Sequence, residues 1–204
     1  MDSLKPQSEG ASIGCEGARP QRADAQRNRA RLLEAAESVF AAEGISVPVD
    51  VIAEKAGVGV GTLYRHFPTK EKLIEAILIE RIGSIAAEAR CRLTSDDPGA
   101  GFFGFLEHLV EESSAKRDLI LALSGAGVEV EVLVAPVKEE LHEALADLLK
   151  LAQEAGVVRP DVTEAVVLSL IGATCMVAGQ PSAVPPSAIL AIVCDGLRAS
   201  PSTG

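Results

Sequence analysis

Apolar side chains in the first third of the chain recur at helical spacing. Over residues 24–43 they fall at three- and four-residue steps up to Gly44, which predicts an amphipathic helix ended by a glycine. A second apolar run begins after Pro48 and ends at Gly57, which predicts a short helix. The apolar positions are Leu32, Leu33, Ala36, Val39 and Phe40 in the first helix and Val49, Ile52, Ala53 and Ala56 in the second.

The rest of the chain shows the same periodicity in longer segments. Apolar positions from residue 73 to residue 89 predict one long helix, and residues 96–99 interrupt the pattern. Further helices are predicted over residues 102–110, over 119–123, from residue 141 to near Gly156 beyond Pro136, over 161–177 behind a D-x-x-E start at Asp161 and Glu164, and over 188–197 after Pro185-Pro186. The pattern therefore predicts an all-α protein.

Residues 57–67, written GVGVGTLYRHF, carry three alternating glycines that are open to two interpretations. A dinucleotide-binding loop needs a preceding strand and a glycine at the position of Thr62, and a Walker-type loop needs a Gly-Lys-Ser/Thr sequence. The preceding segment is helical in its periodicity, and neither sequence requirement is met. A nucleotide site is therefore disfavoured.

The same stretch meets the requirements of a turn between two helices. Gly57 can take the left-handed conformation that ends one helix, Val58 can pack between the helices, and Gly59 can be the N-cap of the next. Two short helices joined in this way form a helix-turn-helix, whose second helix enters the major groove of DNA. We predict that residues 60–66 are this recognition helix and that Thr69 caps the following one.

Composition and charge are compatible with a helical DNA-binding protein. Hydrophobic residues make up 48% of the 204 residues and aromatic residues only 3%, which is unlike a β-sandwich. The net charge is −10, but residues 93–204 carry sixteen acidic and six basic side chains, whereas residues 22–92 carry ten and eleven. Four arginines of the near-neutral part either meet a phosphate backbone or form only a solvated helix face: Arg22, Arg27, Arg29 and Arg31.

Metal, disulfide and membrane signals are weak in this sequence. The four cysteines form no CxxC pair, and neither His108 nor His142 has a second histidine or a cysteine three or four residues away. No secretory signal is visible, and the longest apolar run, residues 165–179, is shorter than the roughly 20 residues of a membrane-spanning helix. We expect a cytoplasmic protein with reduced thiols, no cofactor, no metal and no membrane partner.

Residues 28–79, and above all IAEKAGVGVGTLYRHFPTKEKLIEAIL, resemble the DNA-binding domain of the tetracycline-repressor (TetR) family of bacterial regulators. The core T-L-Y-x-H-F-x-x-K-E-x-L carries the resemblance. It implies that Leu63 and Phe67 pack inward. It further implies that Tyr64, His66 and Lys70 contact DNA phosphates. It also implies that Val60, Thr62 and Arg65 lie nearest the base edges, on the DNA-facing helix that also carries Gly61.

Three of these residues also have explanations that do not involve DNA. Tyr64 can instead fill a gap in a three-helix core, His66 can be a structural histidine, and Lys70 can be a solvated lysine. Pro48 and Gly59 also stand where the family often has hydroxyl residues that reach a phosphate, so the backbone amides at those two helix starts would carry more of the contact.

The resemblance implies a homodimer whose second domain binds a small-molecule effector. We divide the chain into a flexible tail (residues 1–21), a three-helix helix-turn-helix domain (22–70) and a C-terminal helical bundle for effector binding and dimerisation (71–204). The predicted function is a repressor that an apolar or amphipathic effector releases from a palindromic double-stranded DNA operator. The alternatives are an activator, and an enzyme or thiol-based redox sensor built on the C-terminal bundle.

Two sets of C-terminal residues are candidates for these roles, although core packing is the simpler explanation for the first set. The candidate pocket residues are Phe103, His108, Leu121, Leu145, Leu149, Thr174 and Cys175. The candidate dimer-interface residues are Val166, Leu170, Ile189, Ile192 and Val193.

Overall fold

The structure, a computed structural model, describes residues 18–178 and 184–199 and is helical throughout. The helices are α1 (Ala18–Glu43), α2 (Val49–Ala56), α3 (Val60–His66), α4 (Lys70–Arg92), α5 (Pro98–Glu111), α6 (Ser113–Gly125), α7 (Val130–Glu154), α8 (Glu164–Ala178) and α9 (Pro186–Leu197). Within the described residues no β-strand forms, and a single isolated bridge pairs Val158 with Arg198. The all-α prediction is confirmed. None of these helices is long and apolar enough to cross a membrane.

Glycines with a positive φ angle end α1 and α2 at the predicted positions. Gly44 has a φ of 81° and donates its amide to the Phe40 carbonyl at 3.0 Å. Gly57 has φ 66° and ψ 35°, and the Val58 amide returns to the Ala53 carbonyl at 3.0 Å, which closes the last turn of α2. A left-handed residue reverses the chain within a few residues, so α3 begins at once and crosses α2.

Replacing Gly57 by alanine is expected to lower the free energy of unfolding by about 1–2 kcal/mol, because an L-residue is strained at this positive φ. The new Cβ would also lie 2.9 Å from Nη2 of Arg31, although that side chain can move aside. Urea denaturation followed by circular dichroism measures the change. Gly83→Ala is the matched control. It lies inside α4 with open space around its Cβ, so alanine should raise stability by up to about 1 kcal/mol. Equal effects at the two positions would contradict the strain argument.

Two apolar cores lie on either side of a point within α4. The first core joins α1, α2 and α3 to the first half of α4, through residues such as Ile77 and Ile82, and also takes in Leu119 and Leu123 of α6. The second joins Ile85 of α4 and the remainder of that helix to α5, α7, α8 and α9. The long helix α4 therefore connects the helix-turn-helix to the C-terminal bundle through side chains that it shares with both.

The starts of two helices were predicted too late in the chain. The helix predicted from residue 24 begins at Ala18, since Pro20 falls in its first turn, where proline is tolerated. The helix expected beyond Pro136 begins at Val130 and contains that proline. A proline there removes one backbone hydrogen bond and crowds the preceding turn, yet the helix continues through it, and the neighbouring Val134 is buried in the first core. Of the predicted tail, residues 1–17 lie outside the described residues.

The predicted D-x-x-E start of α8 was also wrong. The helix begins at Glu164, and Thr163 takes the capping position, where its hydroxyl accepts the Val166 amide at 3.4 Å. The Asp161 carboxylate is instead bound by the Arg159 guanidinium through two hydrogen bonds of 2.7 Å. This bidentate pair lowers the pKa of Asp161 and holds its side chain away from the helix start.

Candidate DNA-binding surface

The recognition helix α3 is anchored by its inward side. Leu63 is fully buried, and Phe67, which ends the helix, is almost fully buried. The Thr62 and Leu63 amides donate to the Gly59 carbonyl at 2.8 and 3.2 Å, so the helix starts directly after the turn. Because α3 has only seven residues, these anchors fix which of its faces points to solvent. The inward packing predicted for Leu63 and Phe67 is confirmed.

The outward face of α3 presents the other side chains of the motif. Tyr64 is 46% exposed and Val60 36% exposed, so neither side chain is packed in the core. Gly61 and Arg65 are also exposed, while Thr62 and His66 are half-buried. The imidazole of His66 lies 6.3 Å from the Phe67 ring, measured between centroids. A gap-filling role for Tyr64 is therefore disfavoured.

Lys70, the first residue of α4, reaches back to the start of α2. Its Nζ donates to the Val47 carbonyl at 2.7 Å and lies 5.9 Å from the centroid of the Phe40 ring. Burial lowers the pKa of this ammonium, and the nearby Glu71 opposes that effect. A fully solvated lysine is thus disfavoured. The ammonium has two further N–H groups and lies beside Pro48, where α2 begins.

Two arginines of α1 contact residues at the ends of α2 and α3, which the sequence pattern did not reveal. The Arg29 guanidinium lies 5.4 Å from the centroid of the Phe67 ring, and the end of Arg31 lies against Gly57. Lys55 of α2 donates to the Ser38 hydroxyl of α1 at 2.6 Å. The spacing along α1 showed only that these arginines lie off its apolar face. Their contacts with Phe67 and Gly57 are seen only in the structure.

Comparison with known proteins covers both halves of the chain. Residues 32–77 match the family model "Bacterial regulatory proteins, tetR family", and residues 97–199 match the model "Transcriptional regulator SbtR-like, C-terminal domain". The HTH-type transcriptional regulator UidR of Escherichia coli K12 is 30% identical over 159 residues, which are 72% of this chain and 78% of UidR.

The chain belongs to the TetR family of transcriptional regulators.

Solved structures of TetR-family proteins share the whole fold. A TetR transcription regulatory protein from Mycobacterium vanbaalenii is 41% identical and superposes with a TM-score of 0.73, covering 88% of this chain and 99% of that one. The TetR transcriptional regulator SCO0520 from Streptomyces coelicolor is 27% identical with a TM-score of 0.69, over 85% and 99% of the two chains. This TetR-family protein is accordingly a DNA-binding transcriptional regulator.

In this TetR-family chain the candidate pocket residues do not all line one interior site. Phe103, Leu145 and Leu149 are buried in the second core. Thr174 is buried with its hydroxyl bound to the Leu170 carbonyl at 2.9 Å, and His108 and Cys175 are half-buried. Leu121 is 61% exposed on α6, whereas its neighbour Leu123 is fully buried, so including Leu121 in an interior pocket was wrong.

The candidate interface residues lie on one face of α8 and α9. Ile192 is 75% exposed and Val166 44% exposed, while Leu170, Ile189 and Val193 are half-buried. Four of the five line a groove of about 480 Å³ between the two helices, and Ile189 lies outside it. Met176, which is 71% exposed at the other end of α8, was not foreseen. A single chain thus leaves much apolar area of these helices in water.

Arg81 of α4 links the helix-turn-helix to the C-terminal bundle and was also not foreseen. Its guanidinium pairs with Glu112, between α5 and α6, at 2.9 Å and with Glu37 of α1 at 3.6 Å. Its buried Nε has no hydrogen-bond partner among the described residues. Lys116 lies near both Arg81 and Glu112, and burial lowers the pKa of its ammonium. The carboxylate of Glu112 therefore lies among cations from two helices.

Proposed function

We propose that this protein is a homodimeric cytoplasmic repressor that binds a palindromic operator and is released by a small apolar or amphipathic effector. The observation that carries the proposal is the presentation of α3. Its inward anchor Leu63 is fully buried, while Val60, Tyr64 and Arg65 face solvent from the other side. A helix held in this way matches the second helix of a helix-turn-helix, whose exposed side chains enter the major groove.

The proposed contacts divide into two groups by chemistry. Tyr64, His66 and Lys70 bear N–H or O–H donors at the end of α3 and the start of α4, which suits them to phosphate oxygens. Val60, Gly61, Thr62 and Arg65 lie on α3 itself and would meet base edges. The Lys70 ammonium is held by Val47 in the free protein, so a phosphate would meet a side chain that is already oriented.

The dimer is proposed to form through the exposed face of α8 and α9. Apolar side chains of both helices border a groove there, and Ile192 projects from its edge. Two copies related by a two-fold axis would cover this face and present two recognition helices to two half-sites.

The effector is proposed to bind among the helices of residues 100–180 and to act on α1 through Arg81. This guanidinium contacts Glu37 on the DNA-reading side and Glu112 on the bundle side, so a movement of α5 or α6 reaches α1 through one side chain. The alternative of a thiol sensor is not favoured at Cys194, because burial raises the pKa of that thiol and leaves less thiolate.

Transcription in vitro tests the proposal once an operator has been selected from random DNA. We expect the protein to reduce transcription from a promoter that overlaps the operator, and an effector from a metabolite library to restore it. An effector that binds about 100-fold more tightly to the released state supplies about 2.7 kcal/mol of coupling. Arg81→Met should keep the effector affinity and lose most of this coupling. Increased transcription would identify an activator, and compounds that raise the melting temperature without loosening operator binding would contradict effector release.

A further inference from the structure

A cavity of about 310 Å³ lies at the seam between the helix-turn-helix and the C-terminal bundle. Its walls come from the end of α1 with the following Gly44 and Ile45, from α4, and from α6. Its volume falls at the lower end of the range for small-molecule pockets in proteins. This seam cavity is separate from the second core, where the candidate effector-pocket residues Phe103, Leu145 and Leu149 are packed. A molecule bound there would touch both parts of the regulator.

The seam cavity is lined by both apolar and acidic side chains. Phe40, Ile45, Ile77 and Leu119 supply the apolar surface. These side chains include two that are almost fully buried, Ile77 and Leu119, so the surface is continuous with the first core. An apolar group of a ligand would be removed from water there, which favours binding roughly in proportion to the area covered.

The charge of the seam cavity favours a cation. Two carboxylates line it, those of Glu37 and Asp118, and one cation does, that of Arg81. The Arg81 charge is already opposed by Glu112 at 2.9 Å, and Glu112 does not line the cavity. Arg81 also pairs with Glu37 at 3.6 Å, whereas Asp118 forms no ion pair among the described residues. An ammonium would therefore meet the Asp118 carboxylate, and an anionic ligand would meet only a guanidinium that is already paired.

We propose that the seam cavity binds a small amphipathic cation, an amine carried on an aromatic or aliphatic body. The apolar body lies against Phe40, Ile45 and Leu119. The ammonium pairs with Asp118, which lines the cavity and is solvent-exposed in the free protein.

Calorimetry on the full chain with three compounds that share a phenylethyl body tests this proposal: 2-phenylethylamine, 2-phenylethanol and 3-phenylpropionate. We expect the amine to bind about three- to fivefold more tightly than the alcohol, because water screens an ion pair with an exposed carboxylate, and the carboxylate compound to bind most weakly. Asp118→Asn should reduce the affinity for the amine to that for the alcohol and leave the alcohol unaffected. Asp147→Asn, an exposed carboxylate on α7 away from the cavity, is the matched control and should bind the amine like the wild type.

A second variant tests the location independently of charge. Ala41 is exposed and lines the cavity from α1, so Ala41→Leu fills the space without disturbing a buried position. It should weaken both the amine and the alcohol, while the melting temperature stays close to that of the wild type. The proposal is overturned by tighter binding of the carboxylate, by wild-type affinity for the amine in both Asp118→Asn and Ala41→Leu, or by no binding of the amine at millimolar concentration.

Discussion

Replacing Ile192 by glutamate is expected to dissociate the dimer and to reduce operator affinity by at least two orders of magnitude. Ile192 is the most exposed of the large apolar side chains on α9, and it borders the groove formed with Val166 and Leu170 of α8. In a dimer through this face, the glutamate would be an unpaired buried charge, which costs several kcal/mol. A two-fold dimer holds its two recognition helices at the spacing of the two half-sites, so that both half-sites are bound together. Loss of the dimer therefore removes most of the operator affinity.

Sedimentation velocity at micromolar concentration and fluorescence anisotropy with a labelled operator measure the two effects. Val132→Glu is the matched control, since Val132 is 69% exposed on α7 and lies outside the α8–α9 face. It should remain dimeric and bind DNA with nearly unchanged affinity. A monomeric wild type, or a dimeric Ile192→Glu protein, would show that α9 does not form the interface.

Variants of the helix-turn-helix are expected to separate into two classes by their effect on DNA sequence preference. Thr62→Ala and Arg65→Ala should change the preferred base at symmetric positions, with a loss of about 1–3 kcal/mol for each good base contact. Tyr64→Phe and Lys70→Ala should weaken binding to all sequences by similar amounts. Because a dimer carries two copies of Lys70, its removal should reduce the slope of log affinity against log salt concentration by about two.

Selection of binding sites by each variant, with salt titrations, measures these differences. Lys70→Ala also removes the hydrogen bond to the Val47 carbonyl, so its melting temperature is needed to separate lost stability from lost phosphate contact. Altered base preference in Lys70→Ala together with unaltered preference in Thr62→Ala and Arg65→Ala would reverse the assigned roles. The exposed positions Val60 and Gly61 carry no polar side-chain atom, so contacts with thymine methyl groups and DNA shape should supply part of the specificity.

Helix boundaries were predictable wherever a glycine or a cap acted within a few residues. Gly44 and Gly57 end their helices with positive φ angles, and Thr69 accepts the Lys72 amide at the start of α4. The same local logic failed at Asp161, because an arginine two residues earlier, Arg159, competes for its carboxylate. It also failed at Pro136, where α7 continues through the proline and the neighbouring Val134 is buried in the first core.

The sequence by itself determined the all-α fold, the helix-turn-helix and the inward anchors Leu63 and Phe67, because caps, left-handed glycines and apolar periodicity act over a few residues. Only the tertiary structure decided which helix covers each apolar face. It exposed Leu121 and buried Leu123 beside the helix-turn-helix, where periodicity marked both as apolar. It also brought Arg81 between Glu37 and Glu112, residues 44 and 31 positions away, and opened the seam cavity beside them. Periodicity defines the direction of a side chain around its own helix, whereas its partners depend on how the helices pack against one another.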